Sequence, residues 1–199
     1  MISNVCRIEK GTSDLDAILK ESQKVAEYNE LSHKQSLQLR LICEEMDGML
    51  PRIIDGFSGD FWIEYVDGLC KVNASVKLEE FTAEKKNALI GVSKSGKNAS
   101  AMGIVGKIRS ELESFFLDEN TLQLCAMSAG PSRATMGYTD CMDYSYLWTL
   151  EQYKTAVKNE SKTEAWDELE KSVIASVADD IIVGIKGKRA DIVIIKRFA

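Results

Sequence analysis

The spacing of apolar residues changes from strand-like to helix-like within the first thirty positions of the chain. Residues 5–8 alternate apolar and polar side chains, which predicts a short strand. Gly11 to Asp14 then provide a turn and a helix N-cap. The apolar positions that follow recur every three or four residues to about Asn29: Leu15, Ile18, Leu19, Val25 and Ala26. This spacing predicts an amphipathic helix.

A second helix is predicted from Ser32 to about Ile54. Ser32 is an N-cap residue, and Gln35, three positions later, completes a capping-box pattern. Pro51 predicts a kink or an end, because proline cannot donate a hydrogen bond inside a helix. The apolar positions that define the helix are Leu37, Leu41, Met49, Leu50 and Ile53.

The clearest local pattern predicts a β-hairpin. Residues 61–66 are aromatic and β-branched, and Asp67-Gly68 is a dipeptide that type I′ hairpin turns prefer. Residues 69–78 then alternate, with Val72, Ala74 and Val76 on one face. This alternation predicts an antiparallel pair of strands with one buried face.

The rest of the chain predicts further helices and a closing hairpin. In order, the predicted elements are helices over 83–91 and 104–116, a long loop or irregular strand over 118–143, helices over 147–157 and 165–177, and a hairpin over 181–195. Trp148, Leu150, Val173 and Ile174 are predicted to be buried on the last two helices.

The order of elements predicts an α+β fold in a single domain over residues 1–199. Helices mixed with antiparallel hairpins are typical of a two-layer α/β sandwich, with helices on one face of a mixed, mostly antiparallel sheet. Residues 118–178 interrupt this pattern and are interpreted as an insertion.

Composition narrows the functional classes. The 199 residues carry 25 Lys and Arg against 31 Asp and Glu, for a net charge of −6. An acidic chain is a poor general binder of nucleic acid and of anionic membranes, since both draw affinity from cationic side chains. No apolar run reaches 18 residues, and the five cysteines form no CxxC pair. We therefore expect a cytoplasmic protein with free thiols and no metal site.

Two adjacent carboxylates interrupt the second predicted helix. Glu44 and Glu45 lie within the otherwise apolar segment 41–50. Neighbouring helix positions point about 100° apart, so both cannot face the core. One of them is a candidate catalytic residue that orients water as a general base. The alternative for both is a solvated helix edge, which the pattern alone favours.

A polar, glycine-bearing loop leads into the helix near Ile104. Residues 93–109 contain four cations and no acid, a local positive charge within an acidic chain. Amide groups at the start of a helix, together with glycine and lysine, are suited to holding a phosphate. The candidate binding residues are Gly96, Lys97, Asn98, Gly103, Gly106 and Lys107. A solvated surface loop is the alternative, since the sequence does not match a Walker A motif.

The arrangement of these pieces resembles a known ATPase domain. Four pieces are similar to the GHKL-type domain of histidine kinases and anti-sigma-factor kinases. They are the segment Leu39-Arg40-Leu41-Ile42-Cys43-Glu44-Glu45, the hairpin over 61–78, the glycine-bearing helix start Gly103-Ile104-Val105-Gly106-Lys107 and the closing hairpin. The resemblance covers about residues 1–117 and 179–199 and implies the histidine-kinase-like ATPase fold. It further implies that ATP is bound, that a glutamate of the second helix lies near the phosphates, and that the glycine-bearing helix start contacts them.

The chain departs from that family at two positions. The family's magnesium-binding asparagine follows its glutamate by four residues, but here Gly48 and Met49 stand at that distance from Glu44 and Glu45. The family's aspartate-glycine adenine motif is replaced by residues 76–80, Val-Lys-Leu-Glu-Glu. We therefore expect a regulatory nucleotide-binding protein without family-type magnesium ligands, in which ATPase or serine-kinase activity is not assured. The alternative is a non-catalytic interaction module, a regulator or homodimer that keeps the fold.

Overall fold

The structure is a computed structural model that describes residues 1–54, 56–78, 103–117, 146–159, 169, 172–186 and 189–198. The elements in chain order are β1 (Cys6–Glu9), α1 (Leu15–Tyr28), α2 (His33–Ile53), β2 (Phe57–Val66), β3 (Leu69–Leu78), α3 (Gly103–Leu117), β4 (Tyr146–Thr149), α4 (Leu150–Asn159), α5 (Val173–Val177), β5 (Asp180–Lys186) and β6 (Arg189–Arg197). The predicted helix over 83–91 and the predicted loop over 118–143 lie outside the described residues.

Six strands form one sheet in the order β1-β2-β3-β6-β5-β4. Every ladder that the structure describes is antiparallel, so the expectation of a mixed sheet is corrected for this part of the chain. The reason is visible between β1 and β2, where two helices connect the strands. A pair of antiparallel helices returns the chain to the end at which it started, so β2 must run opposite to β1.

One face of this sheet is apolar and is covered by helices. Because side chains alternate between faces, residues in register across the strands share a face. One such row is Ile8, Gly59, Val76, Ala190 and Ile185, and the next is Cys6, Phe61, Ala74, Ile192, Val183 and Trp148. All of these residues except the half-buried Cys6 are buried. The described residues therefore confirm an α+β fold with a six-stranded antiparallel sheet, which is compatible with a two-layer sandwich.

Local capping signals place the first two helices as predicted. The Asp14 carboxylate accepts a hydrogen bond from the Ala17 amide at 3.0 Å at the start of α1. Ser32 and Gln35 form the predicted capping box of α2, in which the Ser32 amide donates to the Gln35 side chain at 2.8 Å. Pro51 lies inside the last turn of α2 and marks its end, since the helix stops at Ile53.

The hairpin of β2 and β3 also forms as predicted. Asp67 and Gly68 have positive φ angles of 48° and 79°, the backbone conformation that a type I′ turn requires. Strand β2 begins at Phe57, four residues before the predicted aromatic run, because it pairs with β1 on one side and β3 on the other.

The segment interpreted as an insertion contributes a strand to the sheet. Residues 147–149 were predicted to begin a helix, but Tyr146–Thr149 forms β4, which pairs with β5. Trp148, Leu150 and Ile174 are buried as predicted, whereas Val173 is exposed at the start of α5. In the part of the chain that the structure describes, no helix is long and apolar enough to cross a membrane.

Candidate functional site

Helix α2 lies over the sheet and carries the two candidate glutamates on its flanks. Its sheet-facing side chains are fully or almost fully buried: Leu39, Ile42, Cys43, Met46, Met49, Leu50 and Ile53. Glu44 and Glu45 are half-buried, in agreement with the prediction that neither occupies the core-facing stripe. Their surroundings differ because α1 and α3 pack on α2 from different sides.

Glu44 lies on the side of α2 that faces α1 and solvent. The Arg40 Nε atom donates to the Glu44 carboxylate at 2.9 Å, and the Glu44 side chain remains 37% exposed. Arg40 itself lines the groove between α1 and α2. Asp47, on the same flank, is within hydrogen-bond reach of the Ser13 hydroxyl just before α1, while its partial burial raises the pKa of its carboxyl. Glu44 is therefore a partly solvated ion-pair partner.

Glu45 lies on the opposite flank of α2. It precedes Arg52 by seven residues, which is two helical turns, so both residues share one side of α2. The Arg52 carbonyl accepts a hydrogen bond from the Arg109 Nη1 atom of α3 at 3.3 Å, so α3 contacts the last turn of α2. Of the two candidate carboxylates, Glu45 is the one on the same side of α2 as Arg52.

The neighbours of Glu45 do not suit a magnesium ion. Magnesium prefers a near-octahedral shell of oxygen ligands. The positions one turn before and after Glu45 on its flank are Leu41 and Met49, and Met49 is only 3% exposed. Between residues 41 and 49, Glu45 is therefore the one carboxylate on this flank of α2. Among the described residues, no three His, Cys, Asp or Glu side chains are grouped as a metal site would need.

Helix α3 begins at Gly103, one residue before the predicted start. Ile104, Ile108 and Leu112 are its buried positions. Lys107 and Arg109 are two residues apart and so point about 200° apart around the helix axis. Since Arg109 reaches α2, Lys107 projects from a different side of α3.

The remaining predicted binding residues are only partly covered by the structure. Gly106 is buried in the first turns of α3. Gly96, Lys97 and Asn98 lie outside the described residues, so the phosphate cradle predicted there stays a prediction.

Sequence reasoning missed the most buried carboxylate in the described part of the chain, Glu21 of α1. Its side chain accepts hydrogen bonds from the amide and the side chain of Asn4, at 3.0 and 3.1 Å, and from Lys24. Burial alone would raise the pKa of Glu21, but these hydrogen bonds outweigh it and hold the pKa below its ordinary value. The signal was available, because Glu21 follows the buried Ile18 by three positions. The hydrogen bonds of Glu21 therefore connect the N-terminal segment at Asn4 to α1, and we assign Glu21 a structural role.

A groove of about 420 Å³ runs between α1 and α2 on the side that faces away from the sheet. Its lining combines small side chains with charged ones from both helices: Asp16, Leu19, Lys20, Ser22, Gln23, Ala26, Glu27, His33, Ser36, Leu37 and Arg40. His33, the single histidine of the chain, lies exposed at the first position of α2.

Comparisons of the chain with protein-family models, with curated proteins and with solved structures found no match.

Proposed function

We propose that this protein binds a nucleotide, with ATP as the first ligand to test, on the flank of α2 that bears Glu45. The observation that carries the proposal is the contact of α3, the helix that begins at Gly103, with the last turn of α2, where Arg52 shares a side of the helix with Glu45. The first five elements, a strand, two helices and a hairpin, followed by the helix that begins at Gly103, are the elements that resemble GHKL-type ATPase domains, whereas β4 has no place in that resemblance.

The first turn of α3 provides the anion-binding part of the proposed site. The first backbone amides of a helix have no partner within the helix, and the helix dipole adds positive potential there. Phosphate groups bind readily at such an end. Glycine at residue 103 adds no side chain at this end of the helix.

Glu45 gives the proposed site an unusual electrostatic character. A carboxylate without a bound cation repels a phosphate group placed near it. We therefore propose binding and a regulatory role, and make no claim of ATP hydrolysis or phosphoryl transfer.

Calorimetric titration with ATP and ADP, each with and without Mg²⁺, tests this function. We expect a dissociation constant of roughly 1 mM or tighter, which corresponds to about −4 kcal/mol. Glu45→Gln should change that constant at least about threefold, which is about 0.7 kcal/mol. Glu44→Gln is the matched control, because it makes the same change on the opposite flank of α2, and it should leave binding unaltered. Absence of heat with every nucleotide at millimolar concentration overturns the proposal.

A second candidate function is a non-catalytic interaction module. The observation that favours it is Met49, whose buried thioether stands where the resemblance would require a polar magnesium ligand. A chain that keeps this fold without the metal-binding position can act through its surfaces alone. Light scattering on the purified protein tests it, and a strictly monomeric protein without a bound partner counts against it.

A further inference from the structure

The outer surface of α1 carries a lysine and a glutamate whose spacing allows them to pair with the same two residues of a second copy. Lys20, Gln23 and Glu27 lie on the α1 wall of the groove, and the Gln23 side-chain amide donates to the Glu27 carboxylate at 2.7 Å. This hydrogen bond holds Glu27 on the groove side of the helix. Lys20 and Glu27 are seven residues apart, so they share a flank at a separation of about 10 Å along the axis.

The charges in the groove also restrict the kind of partner. Asp16 and Glu27 contribute two carboxylates, and Lys20 and Arg40 contribute two cations. A uniformly acidic or uniformly basic partner gains nothing net from such a surface, because attraction at one residue is cancelled at the next. The partner must carry both signs at matching intervals, and α1 of a second copy does so.

We infer that the α1–α2 groove is the contact surface of a homodimer with two-fold symmetry. An axis perpendicular to α1 that passes midway between residues 23 and 24 places Lys20 of one copy opposite Glu27 of the other. By the same symmetry Glu27 of the first copy meets Lys20 of the second, so one kind of ion pair forms twice.

An exposed leucine lies at the centre of this arrangement. The two helices are antiparallel and joined by residues 29–32, so Leu37, four positions into α2, is level with Gln23 of α1. Leu37 lines the groove and is 52% exposed, which is high for a leucine. In the dimer it meets Leu37 of the second copy near the axis, with the ion pairs on either side. An apolar centre with a charged rim is the usual anatomy of a protein interface.

This inference names the partner of the interaction module and does not depend on nucleotide binding. Exposed ion pairs contribute little free energy, so they fix the register of the two copies while the burial of Leu37 and its neighbours provides the attraction. A small surface of this type implies a reversible dimer with a dissociation constant in the micromolar range, at roughly 1–100 µM.

Sedimentation equilibrium over a wide range of protein concentration tests the dimer and its register. Lys20→Glu and Glu27→Lys should each weaken dimerisation roughly tenfold, since each replaces two attractive pairs by two repulsive ones. The double variant carries both changes, restores opposite charges across the axis, and should return the dissociation constant to within about twofold of the wild type. Lys77→Glu makes the same charge change on an exposed position of β3, away from both helices, and should have no effect.

Leu37→Ser provides a second test that does not involve charge. Because Leu37 is exposed in the monomer, the substitution should leave the circular dichroism spectrum unchanged while it weakens the dimer at least about tenfold. A wild-type protein that remains monomeric at all concentrations overturns the inference. So does a dimer that is insensitive to the single charge reversals, or one that the double variant fails to restore.

Discussion

Gly59 is the position at which one added methyl group should have the largest effect on folding. It lies in β2 opposite Val76 of β3. A Cβ atom at residue 59 would lie 2.1 Å from the Ser75 carbonyl oxygen and 2.7 Å from the Val76 Cα atom. Both are backbone atoms, so no rotamer change can relieve the overlap, and β3 would have to move away from β2.

The magnitude follows from the kind of atoms involved. Overpacking that side chains can relax costs about 1–3 kcal/mol. Since Gly59→Ala must displace backbone in the middle of the sheet, we expect a loss of about 3 kcal/mol or more. For a chain of this length, that loss lowers Tm by roughly 6–12 °C.

Gly48→Ala is the matched control for Gly59→Ala. Gly48 lies in the interior of α2, and a Cβ atom there would have no neighbour within 4 Å. Alanine is favoured over glycine in a helix by about 1 kcal/mol, so this variant should be more stable than the wild type. The same chemical change thus has opposite signs at the two positions.

Urea denaturation followed by circular dichroism measures both effects. The midpoint should fall for Gly59→Ala and rise for Gly48→Ala, with similar slopes. If Gly59→Ala is as stable as the wild type, the close approach of β2 to the Ser75 carbonyl is wrong, and with it the local register of the two central strands.

Three further predictions concern the hydrogen bonds of the buried Glu21, the buried thiols and the N-cap of α2. Because folding lowers the pKa of Glu21, the stability that its carboxylate contributes is complete above the unfolded pKa of 4.5 and is lost as pH falls through the folded pKa. Glu21→Gln should therefore lower the free energy of unfolding by about 1–3 kcal/mol at pH 7. It should also make the urea midpoint less sensitive to pH below about 5. In a Cys125→Ser, Cys141→Ser background, Cys43 and Cys70 should react with a thiol reagent only on unfolding, since burial raises the pKa of Cys70 to about 12 and that of Cys43 well above its ordinary value. The half-buried Cys6, whose pKa burial also raises, should react slowly in the folded protein and faster on unfolding. Ser32→Ala should lower the free energy of unfolding by about 1 kcal/mol through loss of the capping box, and an unchanged urea midpoint would contradict the cap geometry.

Local signals in the sequence were sufficient for the elements that depend on neighbouring residues. The capping box at Ser32 and the Asp67-Gly68 turn are both set within four residues, and both form as predicted. Strand β4 could not be predicted in the same way. The spacing of Leu147 and Leu150 suits a helix, and only the distant pairing with β5 makes residues 146–149 a strand.

The candidate site shows the same limit. The sequence indicates that Glu44 and Glu45 diverge, because consecutive helix positions point in different directions. It does not indicate that α3 contacts the last turn of α2, since that depends on a hydrogen bond between Arg109 and Arg52, which are far apart in the chain. The buried Glu21 was missed because its donors come from Asn4 as well as from its own helix.

Substitutions at Met49 test whether this position lies in a solvated cleft, where a magnesium ligand could stand, or in the buried core, where it could not. Its side chain belongs to the buried core, so Met49→Asn should place an amide among apolar neighbours and cost about 2–4 kcal/mol. Met49→Leu keeps the volume and should cost less than about 1.5 kcal/mol. If thermal unfolding shows that Met49→Asn is as stable as Met49→Leu, the side chain lies in a solvated cleft and a polar ligand there is physically possible. The buried position instead implies that magnesium chemistry at α2 cannot be recovered by this one substitution, because the asparagine would first have to leave the core.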